Sequence, residues 1–247
     1  MAGDDTMRGI LITFEGIDGC GKSTIVAQIA RQIELGEGPP FRGREFIFTA
    51  EPTDGEEGRL LRERLKGPRT AEGGGSGSVD AGGLEGLEEL FLFLADHARH
   101  LRETVVPALA RGAVVISDRY SDSRAAYQAA ALGGVVPHPL EWVRQIHRPW
   151  SVPPDKTILF SIDPALAFER CRSRIEEGRS SPQPTGHDKF EEETFLREVA
   201  ANFETMAKGE PERFVVIDAG RRRDEVLVDA MRALEAALSE KAYAPDR

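Results

Sequence analysis

Two cysteines in 247 residues are too few for a scaffold held together by disulfides. One of them, Cys20, sits inside a glycine-rich run that a disulfide would restrain, so Cys20 and Cys171 read as reduced thiols and a cytoplasmic setting is expected. Positive charge is also short: 32 Lys and Arg face 42 Asp and Glu, a net charge of −10. That balance argues against non-specific attraction to nucleic acid or an anionic membrane, and an anionic ligand must be held by a local cluster of cations. No apolar run approaches the roughly 20 residues needed to span a bilayer. The polar stretch Met1 to Gly9 lacks the apolar core of a secretory leader. There is no internal repeat, no second-domain boundary and no Asn-Lys-x-Asp pattern, which argues against a GTP switch. What remains is an ordinary globular composition, 40% hydrophobic and 30% charged, in a chain long enough for one large domain.

Against these absences stands one dense run, Gly16-Ile17-Asp18-Gly19-Cys20-Gly21-Lys22-Ser23-Thr24. It follows the apolar stretch Ile10 to Phe14 and opens into Ile25-Val26-Ala27-Gln28-Ile29. Gly, four residues, then Gly-Lys-Ser is a P-loop, and its mechanism is physical. The glycines let backbone N–H groups curl round phosphate oxygens, and the helix N-terminus behind them adds partial positive charge. Lys22 reaches the outer phosphates and the Ser23 hydroxyl is placed for Mg²⁺. ATP binding is therefore assigned to residues 16–24.

Taken in order, the chain alternates strands and helices. Strands are expected at 10–14, 44–49, 113–117, 156–162 and 214–217. Helices are expected at 22–35, 58–66, 87–111, 122–132, 140–147, 165–177, 191–208 and 223–242. Five strands alternating with helices predict an α/β fold, a parallel sheet wrapped on both faces. Pro107 either bends the long helix or starts a second segment. Residues 67–86, rich in Gly and Ser, cannot bury enough apolar surface to offset their ordering entropy. They read as a flexible surface insertion or a loop ordered by substrate.

Three further groups carry chemistry. Asp118-Arg119-Tyr120 closes an apolar strand, where an acid can assist Mg²⁺ and an arginine can grip a phosphate in two places. Arg170, Arg172, Arg174 and Arg179 fall within ten residues, ahead of a polar, proline-containing stretch. They form either a solvated face paired with Glu169, Glu176 and Glu177, or a lid over about 170–190 that meets the charge spread over a moving phosphoryl group. Phe93 and His97, at i and i+4, share a helix face that serves either the core or base stacking. Asp18 is either a turn former or a group near an incoming phosphate or its metal.

These residues give the chain its resemblance to thymidylate kinases, from Ile10 to about Leu238. Phe14 to Ser23 is similar to their P-loop segment, Glu51-Pro52-Thr53 to their second loop, and Leu92 to His100 to their base-binding helix. Asp118-Arg119-Tyr120-Ser121-Asp122-Ser123-Arg124-Ala125-Ala126-Tyr127-Gln128 is the most specific match. The resemblance implies transfer of a phosphoryl group from Mg·ATP to dTMP, giving dTDP, by a single P-loop kinase domain that is usually a homodimer. It further implies Glu51 and Pro52 on the substrate side, Phe93 stacked on the base, and Arg119 on the acceptor phosphate. Ser123, Arg124, Tyr127 and Gln128 would lie round base and sugar. Lys22, Asp18, Arg119 and the arginines 170, 174 and 179 would be catalytic, with Ser23 and Asp118 at the metal. Gly19, where some members carry an arginine, resembles the branch whose catalytic arginine lies in the lid. The loop 219–221 resembles the adenine-side loop, and Leu92, Ala95 and Leu101 serve either a dimer face or simply the core. Two positions depart from the pattern: Ala50 and His97 stand where many members have arginine. They keep open a kinase for dUMP, UMP or CMP, and a regulatory nucleotide binder without turnover is the other alternative.

Overall fold

A computed structural model describes residues 9–36, 41, 43–66, 81–176 and 193–243. Five strands form one parallel sheet in the order β2-β3-β1-β4-β5: β1 Ile10–Gly16, β2 Phe46–Ala50, β3 Val114–Asp118, β4 Lys156–Ser161 and β5 Phe214–Asp218. The chain fills one side of β1 first and then the other, so helices leave β1 and its neighbour β3 side by side. Phe14 pairs in register with Asp118, and this puts the loops that follow β1 and β3 at the same sheet end. Ligands of open α/β sheets bind at that end.

The helices are α1 Lys22–Glu34, α2 Glu56–Lys66, α3 Ala81–His100, α4 Val106–Ala110, α5 Ser121–Ala131, α6 Pro139–His147, α7 Pro164–Glu176, α8 Glu193–Gly209 and α9 Arg223–Tyr243. All of β1 is buried, as expected for a strand covered on both faces. Its side chains divide by period two. Ile10, Ile12 and Phe14 join Ile25 and Ile29 of α1 and Leu234 of α9, whereas Leu11 joins Leu101, Val105 and Leu109 on the other side. α5 packs against α6 and α8, so the Asp-Arg-Tyr segment is clamped from behind.

The sheet is as the sequence implied, and the strand ends differ by one or two residues. One expectation about the elements needs correction. The long helix begins at Ala81, so residues 81–86 of the expected flexible insertion are helical; residues 67–80 lie outside the described residues. Gly82, Gly83 and Gly86 weaken helix propensity there, but Leu90 and Leu94 farther along are buried and tertiary packing carries the element. Ahead of Pro107 the rod widens into one π turn, Leu101–Val105, and then continues as α4. Proline lacks the N–H that an α turn would need, and the wider turn absorbs the mismatch. On α2, Leu61 and Leu65 are buried but Leu60 is half exposed, since adjacent positions on a helix diverge by about 100°. Among the described residues no helix is long and apolar enough to cross a membrane.

Candidate active site

The loop between β1 and α1 is held open by left-handed glycines. Gly21 caps α1 at φ 87°, and no side chain of the described residues caps that helix or places an acid in its first turn. The first N–H groups of α1 therefore face a cavity lined by residues 17–24 together with Arg119 and Arg174. Gly19 has φ 84°, and a Cβ there would lie 2.2 Å from the carbonyl oxygen of Ala167 in α7. The approach of α7 to the loop depends on that missing side chain.

Lys22 is buried and its ammonium pairs with the Asp118 carboxylate. Burial pushes Asp118 upward, but Lys22 and a hydrogen bond from Ser23 outweigh it, so the carboxyl is held below its ordinary value. Ser23 and Asp118 thus present hard oxygen donors at one point, a set that suits a divalent cation such as Mg²⁺.

Arg119 adopts φ 69°, a conformation rarely taken by a side-chain-bearing residue and one held here by its surroundings. Its N–H donates to Phe14 O at 3.0 Å. One guanidinium nitrogen donates to Gly16 O at 3.1 Å and Ser123 Oγ at 3.0 Å, and the other to Asp18 and to the Tyr127 hydroxyl at 3.3 Å. The Tyr127 hydroxyl donates to Asp18 Oδ2 at 3.0 Å, and the Asp18 backbone N–H donates back to that hydroxyl at 2.9 Å. Burial opposes charge on Arg119, but Tyr127, Asp18 and Asp118 hold its pKa well above the ordinary value.

Next to the phosphate cavity lies a second one, walled by Pro52, Leu65, Phe93, Tyr120 and Arg124. Asp18 and Arg119 line both. An aromatic face, apolar walls and one guanidinium suit a small planar ring with a polar edge, while the shared floor suits an attached phosphate.

A thymidylate kinase family model matches residues 14–230. A probable thymidylate kinase of Methanosarcina mazei is 46% identical over 220 residues, 89% of this chain and 92% of that one. One from Halobacterium salinarum is 42% identical over 235 residues, 95% of this chain and 100% of its own length. Another, from Natronomonas pharaonis, is 38% identical over 230 residues, again with its whole length covered.

The chain belongs to the thymidylate kinase family.

The residues that carried the family resemblance fall into three groups in space. Residues 17–24, Arg119 and Arg174 line the phosphate cavity, and Glu51, Pro52, Phe93, Ser123, Arg124 and Tyr127 line the neighbouring one. Others are displaced. Arg170 donates to Ala219 O at 3.1 Å and so lies at the loop after β5, not in the phosphate cavity; Arg179 is outside the described residues. Gln128 is fully buried outside the cavity wall, and neither amide atom has a partner among the described residues.

His97 is also absent from the wall. Its ring is fully enclosed, with Nδ1 at 2.6 Å from Glu51 Oε1 and Nε2 at 2.9 Å from Ser151 Oγ. Burial depresses its pKa despite Glu51, so the ring is held neutral. Glu51, His97 and His100 bring ligand atoms within 4.8 Å of one another. Those atoms are already bonded to each other, and Arg124 shares the carboxylate, so the trio is a poor place for a cation.

Glu15 was not anticipated. It is buried at the end of β1, where it accepts the Tyr120 N–H at 2.9 Å and a hydrogen bond from Ser123. Burial, with Asp122 nearby, pushes its pKa up to about 8. The available signal was one charged residue at the end of the apolar run Ile-Leu-Ile-Thr-Phe.

Proposed function

We propose that this chain transfers the γ-phosphoryl group of ATP to the 5′-phosphate of dTMP, giving ADP and dTDP. The observation that carries this reading is the junction of a phosphate cradle and an apolar, aromatic slot at Asp18 and Arg119. Lys22 and the N–H groups of residues 17–24 bind the donor phosphates, Arg119 orients the acceptor phosphate, and Phe93 faces the base. Arg174, at the rim of the phosphate cavity, supplies the mobile positive charge that the transferring group requires. No protein base is needed, because the acceptor oxygen is already anionic. Ser23 and Asp118 would hold Mg²⁺, whose contribution is to neutralise phosphate charge. The shared hydroxyl of Tyr127 and carboxylate of Asp18 occupy the sugar side.

A cytoplasmic setting fits two buried cysteines that are not joined in a disulfide. A homodimer fits the exposed Leu84 and Phe91 and the exposed Ala95 of α3; of the two roles open to Leu101, the core is the one it takes.

The test is ADP production with dTMP, dUMP, UMP, CMP and AMP as acceptors. The expected result is the highest kcat/KM for dTMP and loss of turnover in Lys22→Ala. A better acceptor among the others would overturn the substrate assignment, and ATP binding with no turnover on any would overturn the kinase assignment.

A further inference from the structure

Three consecutive residues at the end of β1 hold the turn that carries Arg119. Phe14 O accepts the Arg119 N–H at 3.0 Å, Glu15 Oε1 accepts the Tyr120 N–H at 2.9 Å, and Gly16 O accepts from Arg119 Nη1 at 3.1 Å. The carbonyl of the peptide between Arg119 and Tyr120 is tied as well, because Ser117 Oγ donates to Arg119 O at 2.6 Å. Arg119 needs such support, since its φ of 69° is unfavourable for a residue with a side chain. The phosphate loop starts at Gly16, so the strand that launches the loop also grips the arginine.

Glu15 is the one side chain among the three β1 contacts. Its carboxyl also receives a hydrogen bond from the Ser123 hydroxyl, and Ser123 Oγ accepts at 3.0 Å from the same Arg119 Nη1 that serves Gly16 O. Glu15 thus reaches Arg119 twice, through the backbone and through the head group. The pattern is that of a capping box, in which an acid at N3 takes the N-cap N–H. Here Tyr120 is the N-cap of α5 and makes no side-chain cap, N3 is Ser123, and the acid comes from a different strand. Burying an acid is unfavourable: Glu15 is fully enclosed, and burial with Asp122 nearby pushes its pKa up to about 8. An apolar residue would serve the strand without that penalty, and Glu15 lines neither cavity. The carboxyl is explained by what it holds.

We propose that Glu15 is a positioning residue that fixes the placement of the acceptor-binding Arg119 relative to the phosphate loop. This rests on the kinase reading above. In-line transfer needs the acceptor oxygen aligned with the bond that breaks, and a misplacement of about 1 Å lowers the rate roughly 10²-fold. Glu15 acts through the Tyr120 N–H and Ser123, not on a substrate. Its loss therefore matters only as far as Arg119 is there to be displaced, whereas a merely structural loss would add to any change at Arg119.

The experiment is a double-mutant cycle of Glu15→Met and Arg119→Lys, with folding checked by circular dichroism and thermal melting. Methionine keeps the length of glutamate and removes both hydrogen bonds. Glu15→Met is expected to lower kcat/KM for dTMP on the order of 30-fold and to change KM for ATP less than about threefold. Made in Arg119→Lys, the same change is expected to lower it by less than about threefold further. Glu15→Gln keeps an oxygen for Tyr120 and a polar partner for Ser123, and is expected to stay within about fivefold of wild type. A fall under about threefold in Glu15→Met, or effects that add to those of Arg119→Lys, would overturn the assignment. So would equal losses in Glu15→Met and Glu15→Gln. If Glu15→Met does not fold, Ser123→Ala takes its place in the cycle, and additivity again overturns the assignment. If the wild type forms no ADP with any monophosphate, the kinase reading fails, and dTMP affinity by calorimetry through the same cycle decides the role of Glu15 by the same criteria.

Discussion

Arg119 binds Asp18 across the floor common to the two cavities, so the charge that would receive an acceptor phosphate is already neutralised within the protein. An incoming phosphate competes with that carboxylate for the guanidinium, and Tyr127 stands ready to keep Asp18 hydrogen-bonded.

Arg119→Lys keeps the charge but cannot serve Gly16 O, Ser123 and Asp18 together. We expect kcat/KM for dTMP to fall on the order of 10²-fold, with KM for ATP changed less than threefold. Steady-state kinetics with each substrate varied in turn check this split.

Gly19→Ala sets a Cβ against the Ala167 carbonyl and strains a φ of 84°. The expected cost is about 1–3 kcal/mol by denaturant unfolding, and ATP affinity is expected to fall because the loop and α7 can no longer both keep their places. Unchanged stability would mean that α7 yields freely.

Glu15 has a folded-state pKa of about 8 against an ordinary 4.5, so between these values the folded protein holds the extra proton. Its contribution to stability therefore declines as pH rises from about 4.5 to about 8. Glu15→Gln mimics the protonated acid, and its stability relative to wild type is expected to improve by about 1–3 kcal/mol between pH 5 and pH 8. Urea titrations at several pH values give the slope.

His147 behaves in the opposite sense. Burial drives its pKa down to about 3, which keeps the ring neutral, and Nδ1 donates to Val143 O at 3.0 Å, which fixes the tautomer. The unfolded chain binds the extra proton between pH 6.5 and about 3, so stability is lost as pH falls through that window. His147→Gln is expected to flatten this part of the acid limb by about 1 kcal/mol or more, measured as the difference between the two unfolding curves.

The sheet and the phosphate cradle were legible because they are written locally. Ile10 to Phe14 is a continuous apolar run and Gly16 to Ser23 follows it directly, so spacing alone specifies strand, loop and helix. The Asp118-Arg119-Tyr120 segment was legible for the same reason. His97 was not, because its neighbours Glu51 and Ser151 are 46 and 54 residues away, and position on a helix face cannot tell a cavity wall from a buried hydrogen-bonded ring. Arg170 and Arg174 differ by four residues and share a helix, yet one meets Ala219 and the other the phosphate cavity.

That packing makes α7 a lever. Its first turn bears on Gly19 at Ala167, and Arg174 lies seven residues on, about 10 Å along the axis. Any tilt of the helix pivots at the loop and swings the arginine at its far end, about 2 Å for a tilt near 10°. The fulcrum would be a part of the glycine-rich loop itself, so a change in that loop would reach the arginine through α7.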